Sequence, residues 1–186
     1  TEVVAAARQI GFPVVLKGMG ANLLHKTDRG LVHLNLLDAK AAENAVQEIV
    51  AEATEELEGF LIQPHLKGRR EFVAGLFQDD QFGPVIMFGA GGTMVEILRD
   101  SSVALPPLNA ILAERLIKRT KVSKLLEAFR DRPAVDREAV ISVLLRVSEL
   151  VSELPEVEEM DINPLLAGPD GVIAVDARFR VSRPPA

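Results

Sequence analysis

The sequence contains no cysteine, no tryptophan and no tyrosine. The absence of cysteine excludes disulfides, thiolate chemistry and Cys-ligated zinc, and it fits a cytoplasmic protein. Eight phenylalanines are the only aromatic residues, so the core must be mostly aliphatic. A single-stranded nucleic-acid platform needs aromatic side chains among basic ones, so a nucleic-acid partner is not expected.

An excess of positive charge and a long apolar run are also missing. The net charge is -6, whereas a polyanionic partner normally requires a basic surface. The few cations that a nucleotide needs are still available. No apolar run approaches the roughly 20 residues of a membrane span, and no signal peptide is visible, so no membrane partner is expected. The chain starts without an initiator Met and ends in a proline-rich stretch, which suggests a domain of a larger protein.

Apolar periodicity predicts a mixture of helices and strands along the 186 residues. The segment 31–36 alternates, which places Val32, Leu34 and Leu36 on one face. In the next helix, Val50 falls on the predicted apolar stripe. The elements mix without strict βαβ alternation, which favours an α+β fold with mostly antiparallel sheets. Helices are predicted at 2–10, 38–57, 109–119, 121–130 and 136–153, and strands at 13–17, 31–36, 60–64, 70–78, 84–88, 157–163 and 172–176.

Two segments have the residue types of an anion site. Lys17 ends an apolar strand, from which its ammonium would project into an adjoining cleft as a phosphate ligand. A solvated lysine at a strand end gives the same pattern. The segment 88–93, which includes Gly91 and Gly92, follows a strand, and glycines let backbone amides approach an anion closely. It lacks the ending of a Walker A loop, so a plain turn is an equal alternative.

A third segment has the residue types of a magnesium site. In a strand, Glu159, Asp161 and Asn163 share one face because side chains alternate, and Val157 would continue the row. Asp176 ends the next predicted strand, and a hairpin would bring it near Asp161 and Asn163. Clustered hard oxygen ligands with room for water suit Mg²⁺ bridging nucleotide phosphates. A solvated polar face is the alternative.

Histidines provide the last candidates. His25 lies in the loop after the Lys17 strand, and a histidine can act as a base, a ligand or a phosphoryl acceptor. The alternative is a loop histidine held by hydrogen bonds, for instance to Asp28. His33, on a strand, and His65, after Pro64 in a turn, are predicted to be surface residues.

Five motifs occur in order over nearly the whole chain: Gly11 to Lys17, His25 to Asp28, Phe60 to Glu71, Phe82 to Gly92, and Asp161 to Pro164 with Val175 to Arg178. Together they resemble the ATP-grasp domain of the NDP-forming acyl-CoA synthetase family. The fold implied is ATP-grasp, with lobes at about 1–65 and 66–186 around a nucleotide cleft. The N-terminal strand-helix section of that fold is expected to be missing. Succinyl-CoA synthetase β subunits share the fold but differ at the hinge and the His-Lys segment.

The resemblance implies a role for each matched position. Lys17 would hold nucleotide phosphate, and the backbone from Gln63 through Pro64 and His65 to Leu66 would meet the adenine. Glu71 would help to position ATP or ADP, with Gly91 and Gly92 in the glycine loop. Asn163 and Asp176 would bind Mg²⁺, with Asp161 beside them as a catalytic residue, and His25 would take part in phosphoryl transfer.

The resemblance also implies partners. Family members make acyl-CoA from acid, CoA and nucleoside triphosphate through an acyl phosphate and a phosphohistidine. The CoA-binding and phosphohistidine-bearing domains are not in this chain, so the isolated domain is expected to be inactive. Relatives usually have Ser-Pro where Gly20-Ala21 stands, Gly-Gly where Gly30-Leu31 stands, and Gly between Arg130 and Arg132. Some relatives fuse this module to an acetyltransferase, so a ligand-sensing module without turnover is the alternative function.

Overall fold

The chain is described by a computed structural model over residues 2–20, 30–54, 56–92 and 99–182. Its contacts divide it into two compact units, Thr1–Lys67 and Gly68–Ala186. The lobe boundary predicted from the sequence lies near residue 65. None of the helices in the described ranges is both long and apolar enough to cross a membrane.

In the described residues, the first unit is a three-stranded antiparallel sheet with two helices. Its elements are α1 Glu2–Ile10, β1 Val14–Met19, β2 Val32–Leu36, α2 Ala39–Glu52 and β3 Gly59–Pro64. β1 lies in the middle of the sheet, whose order is β2-β1-β3. The core includes apolar residues of β1 and α2, among them Leu16 and Ile49. Asp38 caps α2 at the predicted start of this helix, because its side chain accepts a hydrogen bond from the N–H of Ala41 at 2.8 Å.

Two burial predictions in this unit are wrong. Leu34 is exposed because the register between β1 and β2 shifts by one residue beside it, as in a β-bulge, which turns its side chain outward. Asn35 sits at this shift with a positive φ of 55°, a conformation that asparagine tolerates. Val50 is exposed because α2 buries Ala42, Ala45 and Ile49 instead.

The second unit is a larger antiparallel sheet with its helices packed on one face. Its elements are β4 Arg70–Asp79, β5 Gly83–Ala90, β6 Ser101–Ala104, α3 Ala110–Lys118, the 3-10 helix Lys121–Leu126, α4 Arg137–Glu153, β7 Val157–Gly168, β8 Gly171–Ala174 and β9 Ala177–Val181. The sheet order is β6-β5-β4-β7-β8, and β9 also pairs with β7. β6 and β9 were not predicted, and the helix predicted at 121–130 is a short 3-10 helix.

The core of the second unit lies between the sheet and its helices. Phe72 of β4 and Phe88 of β5 stack with ring centroids 5.4 Å apart. Leu116 of α3 and Leu144 of α4 pack into the same cluster. Every pair of strands in the described ranges is antiparallel, which confirms the predicted α+β class.

Arg70 is a buried arginine that holds an exposed turn in place. Its side chain is 9% exposed, and it donates hydrogen bonds to the carbonyl oxygens of Pro133 at 2.8 Å and Glu127 at 3.1 Å. These carbonyls lie on either side of the turn, where Phe129 and Arg132 pair through two backbone hydrogen bonds. The guanidinium fork can reach both carbonyls, whereas a lysine ammonium is a single point charge.

We expect Arg70→Lys to lower the free energy of unfolding by about 2 kcal/mol, since hydrogen bonds to charged groups contribute roughly 1.5–3 kcal/mol each and one would be lost. Urea denaturation checks this. Arg146→Lys is the matched control, because Arg146 is exposed and should change stability by less than about 0.5 kcal/mol. Equal stability of the two variants would contradict the role given to Arg70.

Candidate functional site

The predicted polar face of β7 is present, but it is shorter than predicted. Met160 is buried in the core, and Asp161 alternates with it on the other face of the strand. Val157 does not continue the polar row, because the register with β9 shifts between Val157 and Glu159 and turns Val157 into the core. A second shift, between β4 and β7, falls at Asn163 and Pro164. The strand is therefore irregular where its polar residues are concentrated.

Asp176 lies directly across from Asn163. β7 and β8 form the predicted hairpin around residues 168–171, and β9 then pairs with the earlier part of β7. Asp176 falls between β8 and β9, and the N–H of Asn163 donates to its carbonyl oxygen at 3.2 Å. The topology thus brings Asp161, Asn163 and Asp176 together at one point of the sheet.

Burial, together with two neighbouring carboxylates, opposes the ionisation of Asp161. Burial raises the pKa of the Asp161 carboxyl, the Arg178 guanidinium lowers it, and the carboxylates of Glu159 and Asp176 raise it, so the pKa is raised overall. Arg178 pairs directly with Asp161 across β7 and β9. Arg180 neutralises Glu159 through a hydrogen bond of 3.1 Å. A cation near Asp161 and Asp176 would relieve the remaining repulsion.

We expect Asp161→Asn to stabilise the metal-free protein at neutral pH. The folded state holds the Asp161 proton more tightly than the unfolded chain does, so stability falls as pH rises from the unfolded pKa through the folded one. The penalty is complete above the folded pKa, and asparagine removes it. Thermal unfolding between pH 4 and 8 measures the difference, with the exposed turn substitution Asp80→Asn as control. A wild-type protein that gained stability relative to Asp161→Asn with rising pH would contradict the sign.

The glycine loop lies beside these residues, and its amides already have acceptors. The N–H of Gly92 donates to Oδ1 of Asn163 at 2.9 Å. The N–H of Gly91 donates to the carbonyl oxygen of Glu71 at 3.2 Å. These are the two glycine amides that were predicted from the sequence to approach a phosphate. The contact between Gly92 and Asn163 was missed, because it joins residues 71 positions apart and no periodicity reports it.

Glu71 lies at the start of β4, next to Gly92. A Cβ added to Gly92 would lie 1.5 Å from Oε2 of Glu71, so the carboxylate lies against the glycine. The Glu71 side chain is exposed. The preceding Arg69 donates to the carboxylate of Asp170 at 2.6 Å and to the carbonyl oxygen of Gly171 at 3.0 Å, which ties the start of β4 to the β7–β8 hairpin.

The remaining candidates lie in the first unit. Lys17 is on the central strand β1, opposite Val32 and Leu61, and is 8% exposed. It is not at a strand end as predicted, because β1 continues to Met19.

The segment from Gln63 to Leu66 begins with the last two residues of β3 and continues beyond the strand. In the described part of the first unit, β3 has a neighbouring strand on one side only. Gln63 and Pro64 pair with Val15 and Val14, and the N–H of His65 donates to the carbonyl oxygen of Pro13 at 2.9 Å. Alternate backbone groups of an edge strand point away from the sheet, where a ligand can reach them. His25 lies outside the described residues.

A family model described as an ATP-grasp domain matches residues 1–181. The chain is 38% identical over 183 residues to the beta subunit of an ADP-forming acetate–CoA ligase from Pyrococcus furiosus, covering 96% of this chain and 79% of that one. The chain belongs to the ATP-grasp family of the ADP-forming acid–CoA ligases.

A second relative is a longer protein. This ATP-grasp chain is 39% identical over 180 residues to an ADP-forming acetate–CoA ligase from Archaeoglobus fulgidus. The match covers 97% of the chain but 26% of that protein. In that protein, the ATP-grasp part is therefore about a quarter of the whole sequence.

Solved structures confirm the ATP-grasp fold. The acetyl-coenzyme A synthetase 1 of Ca. Korarchaeum cryptofilum, in complex with coenzyme A, Ca-AMPCP and HgCl⁺, matches with a TM-score of 0.89 and 41% identity. The match covers 97% of this chain and 81% of that one. The same enzyme in complex with coenzyme A and Mg-AMPPCP matches with a TM-score of 0.82 and 40% identity, covering 97% and 82%.

The donor set of this ATP-grasp domain fits magnesium better than a softer metal. Across the described ranges, no group of three or more His, Cys, Asp and Glu side chains is placed to hold a metal ion. A site made of two carboxylates and an amide oxygen provides hard ligands and leaves positions for water and phosphate oxygens. Mg²⁺ typically uses one or two protein carboxylates together with substrate phosphates.

Proposed function

We propose that this chain is the nucleotide- and Mg²⁺-binding part of an ADP-forming acid–CoA ligase, which converts acid, CoA and ATP into acyl-CoA, ADP and phosphate. The observation that carries the proposal is the meeting of Asp161 and Asn163 of β7 with Asp176, which lies between β8 and β9. Their side chains carry hard oxygen donors of the kind that Mg²⁺ prefers. The 38% identity to a ligase beta subunit supports this interpretation. The absence of cysteine fits a cytoplasmic enzyme.

In this proposal the first unit supplies the cation and the backbone for the nucleotide. The Lys17 ammonium, on a central strand, binds phosphate oxygens as a point charge. The backbone of Gln63, Pro64, His65 and Leu66 meets the adenine, which needs one donor and one acceptor. An edge strand supports this role because its outward N–H and C=O groups are not used by the sheet.

The second unit supplies the metal ligands. Asn163 and Asp176 would hold Mg²⁺, which offsets phosphate charge when bound. Asp161 adds negative charge beside them and, as proposed, acts in catalysis. Glu71 helps to position the nucleotide from the start of β4, next to the Gly91-Gly92 loop.

The complete reaction requires further domains. The CoA-binding domain and the histidine that becomes phosphorylated would come from other parts of the enzyme, with an acyl phosphate as an intermediate. A complex of the Korarchaeum enzyme is described with its phosphohistidine segment pointing towards the nucleotide binding site. His25 is proposed to take part in phosphoryl transfer. The relatives named above are ligases, which favours synthesis over a ligand-sensing role in an acetyltransferase fusion.

Calorimetry with ADP, with and without Mg²⁺, tests the proposal. We expect Mg²⁺-dependent binding, and we expect Lys17→Ala to weaken it by roughly 1–3 kcal/mol, the size of a charge-assisted contact. The mutation removes the cation from a buried position of β1, so circular dichroism must first show that the fold is intact.

Lys40→Ala is the control for lost positive charge. Lys40 lies on the surface of α2, 3.7 Å from Glu43 and largely exposed. Binding by Lys17→Ala with wild-type affinity would remove Lys17 from the site. Absence of ADP binding by the wild-type chain, with and without Mg²⁺, would overturn the proposed function.

A further inference from the structure

The hydrogen bond between Gly92 and Asn163 determines which end of the Asn163 amide faces the glycine loop. A backbone N–H can only donate, so the side-chain atom that meets it must be the oxygen and not the nitrogen. The distance from the Gly92 nitrogen to Oδ1 is 2.9 Å, in the middle of the normal range. One lone pair of Oδ1 is therefore used by Gly92, and an amide oxygen has a second one with which it can bind a metal ion.

We infer that the Gly92 amide is a positioning group for Asn163 and fixes the orientation in which Oδ1 meets the metal. The inference deepens the proposed function and rests on it for the metal. Protein groups that hydrogen-bond to a metal ligand fix its direction, and their loss typically weakens metal binding about 10–100-fold. Asn163 lies at a register shift of β7, where the strand alone does not hold its side chain in a regular row.

The loop is itself fixed, which allows its N–H to act as a stationary donor. Gly91 extends the β4–β5 ladder by one residue through its hydrogen bond to the Glu71 carbonyl oxygen. A Cβ on Gly91 would lie 2.2 Å from the carbonyl oxygen of Phe72, so backbone meets backbone there. Gly91 thus packs closely against β4, and the N–H of the next residue, Gly92, reaches the side chain of Asn163 on β7.

Glu71 explains why residue 92 is a glycine. Gly92 has a φ of 62°, which side-chain-bearing residues rarely adopt, and its missing Cβ is the space into which the Glu71 carboxylate reaches. A side chain at residue 92 would have to displace Glu71 and would shift the N–H that faces Asn163. The Gly92 amide, the Glu71 carboxylate and the Asn163 amide therefore form one contact network.

This network gives the two glycines a role other than a phosphate cradle. Both of their N–H groups are aligned on protein acceptors, Oδ1 of Asn163 and the carbonyl oxygen of Glu71. A phosphate would have to break one of these hydrogen bonds to gain an amide donor. In this inference Gly92 instead acts through Asn163, whose Oδ1 would bind the metal with its other lone pair.

Amide hydrogen exchange of the metal-free chain, followed by ¹⁵N NMR, tests the orientation without any nucleotide. We expect the Gly92 N–H to be protected, Asn163→Ala to raise its exchange rate at least about tenfold, and Asn163→Asp to keep the protection, because a carboxylate oxygen accepts the same hydrogen bond. A Gly92 exchange rate that is unchanged in Asn163→Ala would overturn the inference.

Calorimetry with ADP then tests the consequence for the metal. We expect Gly92→Ala to weaken MgADP about 10–100-fold and to weaken metal-free ADP by less, because displacing Glu71 affects both forms of the nucleotide whereas misorienting Asn163 affects only the metal-bound form. Gly83→Ala is the matched control: Gly83 also has a positive φ, 73°, but nothing lies within 4 Å of an added Cβ. It should lose stability without losing MgADP affinity.

The two outcomes separate the inference from the function on which it rests. Wild-type MgADP affinity in a folded Gly92→Ala protein would overturn the positioning role while leaving the nucleotide site in place. Exchange behaviour as expected, in a wild-type chain that binds no MgADP, would overturn the proposed function and support the orientation of Asn163.

Discussion

Gly91→Ala is expected to destabilise the second unit by more than about 3 kcal/mol, at the upper end of the range for overpacking. The added Cβ would lie 2.2 Å from the carbonyl oxygen and 2.3 Å from the carbonyl carbon of Phe72. These are backbone atoms of β4, so no side-chain rotation can relieve the clash. The strand ladder or the core around Phe72 must move instead, and both are tightly packed.

Urea denaturation measures the loss, and two other glycines supply controls. Gly59→Ala should be close to neutral, because nothing lies within 4 Å of its added Cβ. Gly92→Ala should be intermediate: its positive φ costs about 1–2 kcal/mol, but the Glu71 side chain can rotate away. A Gly91→Ala protein as stable as Gly59→Ala would show that β4 and the end of β5 are not in contact.

The helix beginnings were predictable from local sequence, whereas the faces of several strand residues depend on how the strands pair and were mispredicted. Asp38 and Asp136 both cap helices, each by accepting a hydrogen bond from the N–H three residues on, a contact that the sequence encodes directly. The two-residue alternation of a regular strand gave the wrong face for Leu34 and Val157. Each lies beside a register shift that moves the next side chain to the other face of the sheet.

The candidate site shows the same division between local and non-local information. That Asp161 and Asn163 lie close together could be predicted from their spacing, because both residues belong to one strand. Asp176 was placed near them only if a hairpin formed, and the Gly168 to Gly171 turn supplied that signal. The strand β9 was missed because all five of its residues are exposed, which leaves no apolar periodicity to detect. Its pairing brings Arg178 opposite Asp161.

Asp176→Ala is expected to abolish the dependence of ADP binding on Mg²⁺. The MgADP affinity should fall about tenfold or more, because loss of a metal ligand should cost at least as much as loss of a group that only hydrogen-bonds to a ligand. The side chain is exposed, and the hydrogen bond from Asn163 reaches the backbone carbonyl of Asp176, which alanine retains. Folding should therefore be nearly unaffected. Loss of the carboxylate also removes one of the charges that raise the pKa of Asp161.

Glu159→Ala separates a ligand from a nearby negative charge. The carboxylates of Glu159 and Asp176 both raise the pKa of Asp161, so each contributes to the local negative potential. Glu159 is already hydrogen-bonded to Arg180, whereas Asp176 faces Asn163 across the strand pair. If Mg²⁺ is held by direct ligation, calorimetric titrations at matched ionic strength should show a much larger loss for Asp176→Ala than for Glu159→Ala. Equal losses would mean that the cluster attracts the cation only through its charge, and Asp176 would then not be a metal ligand.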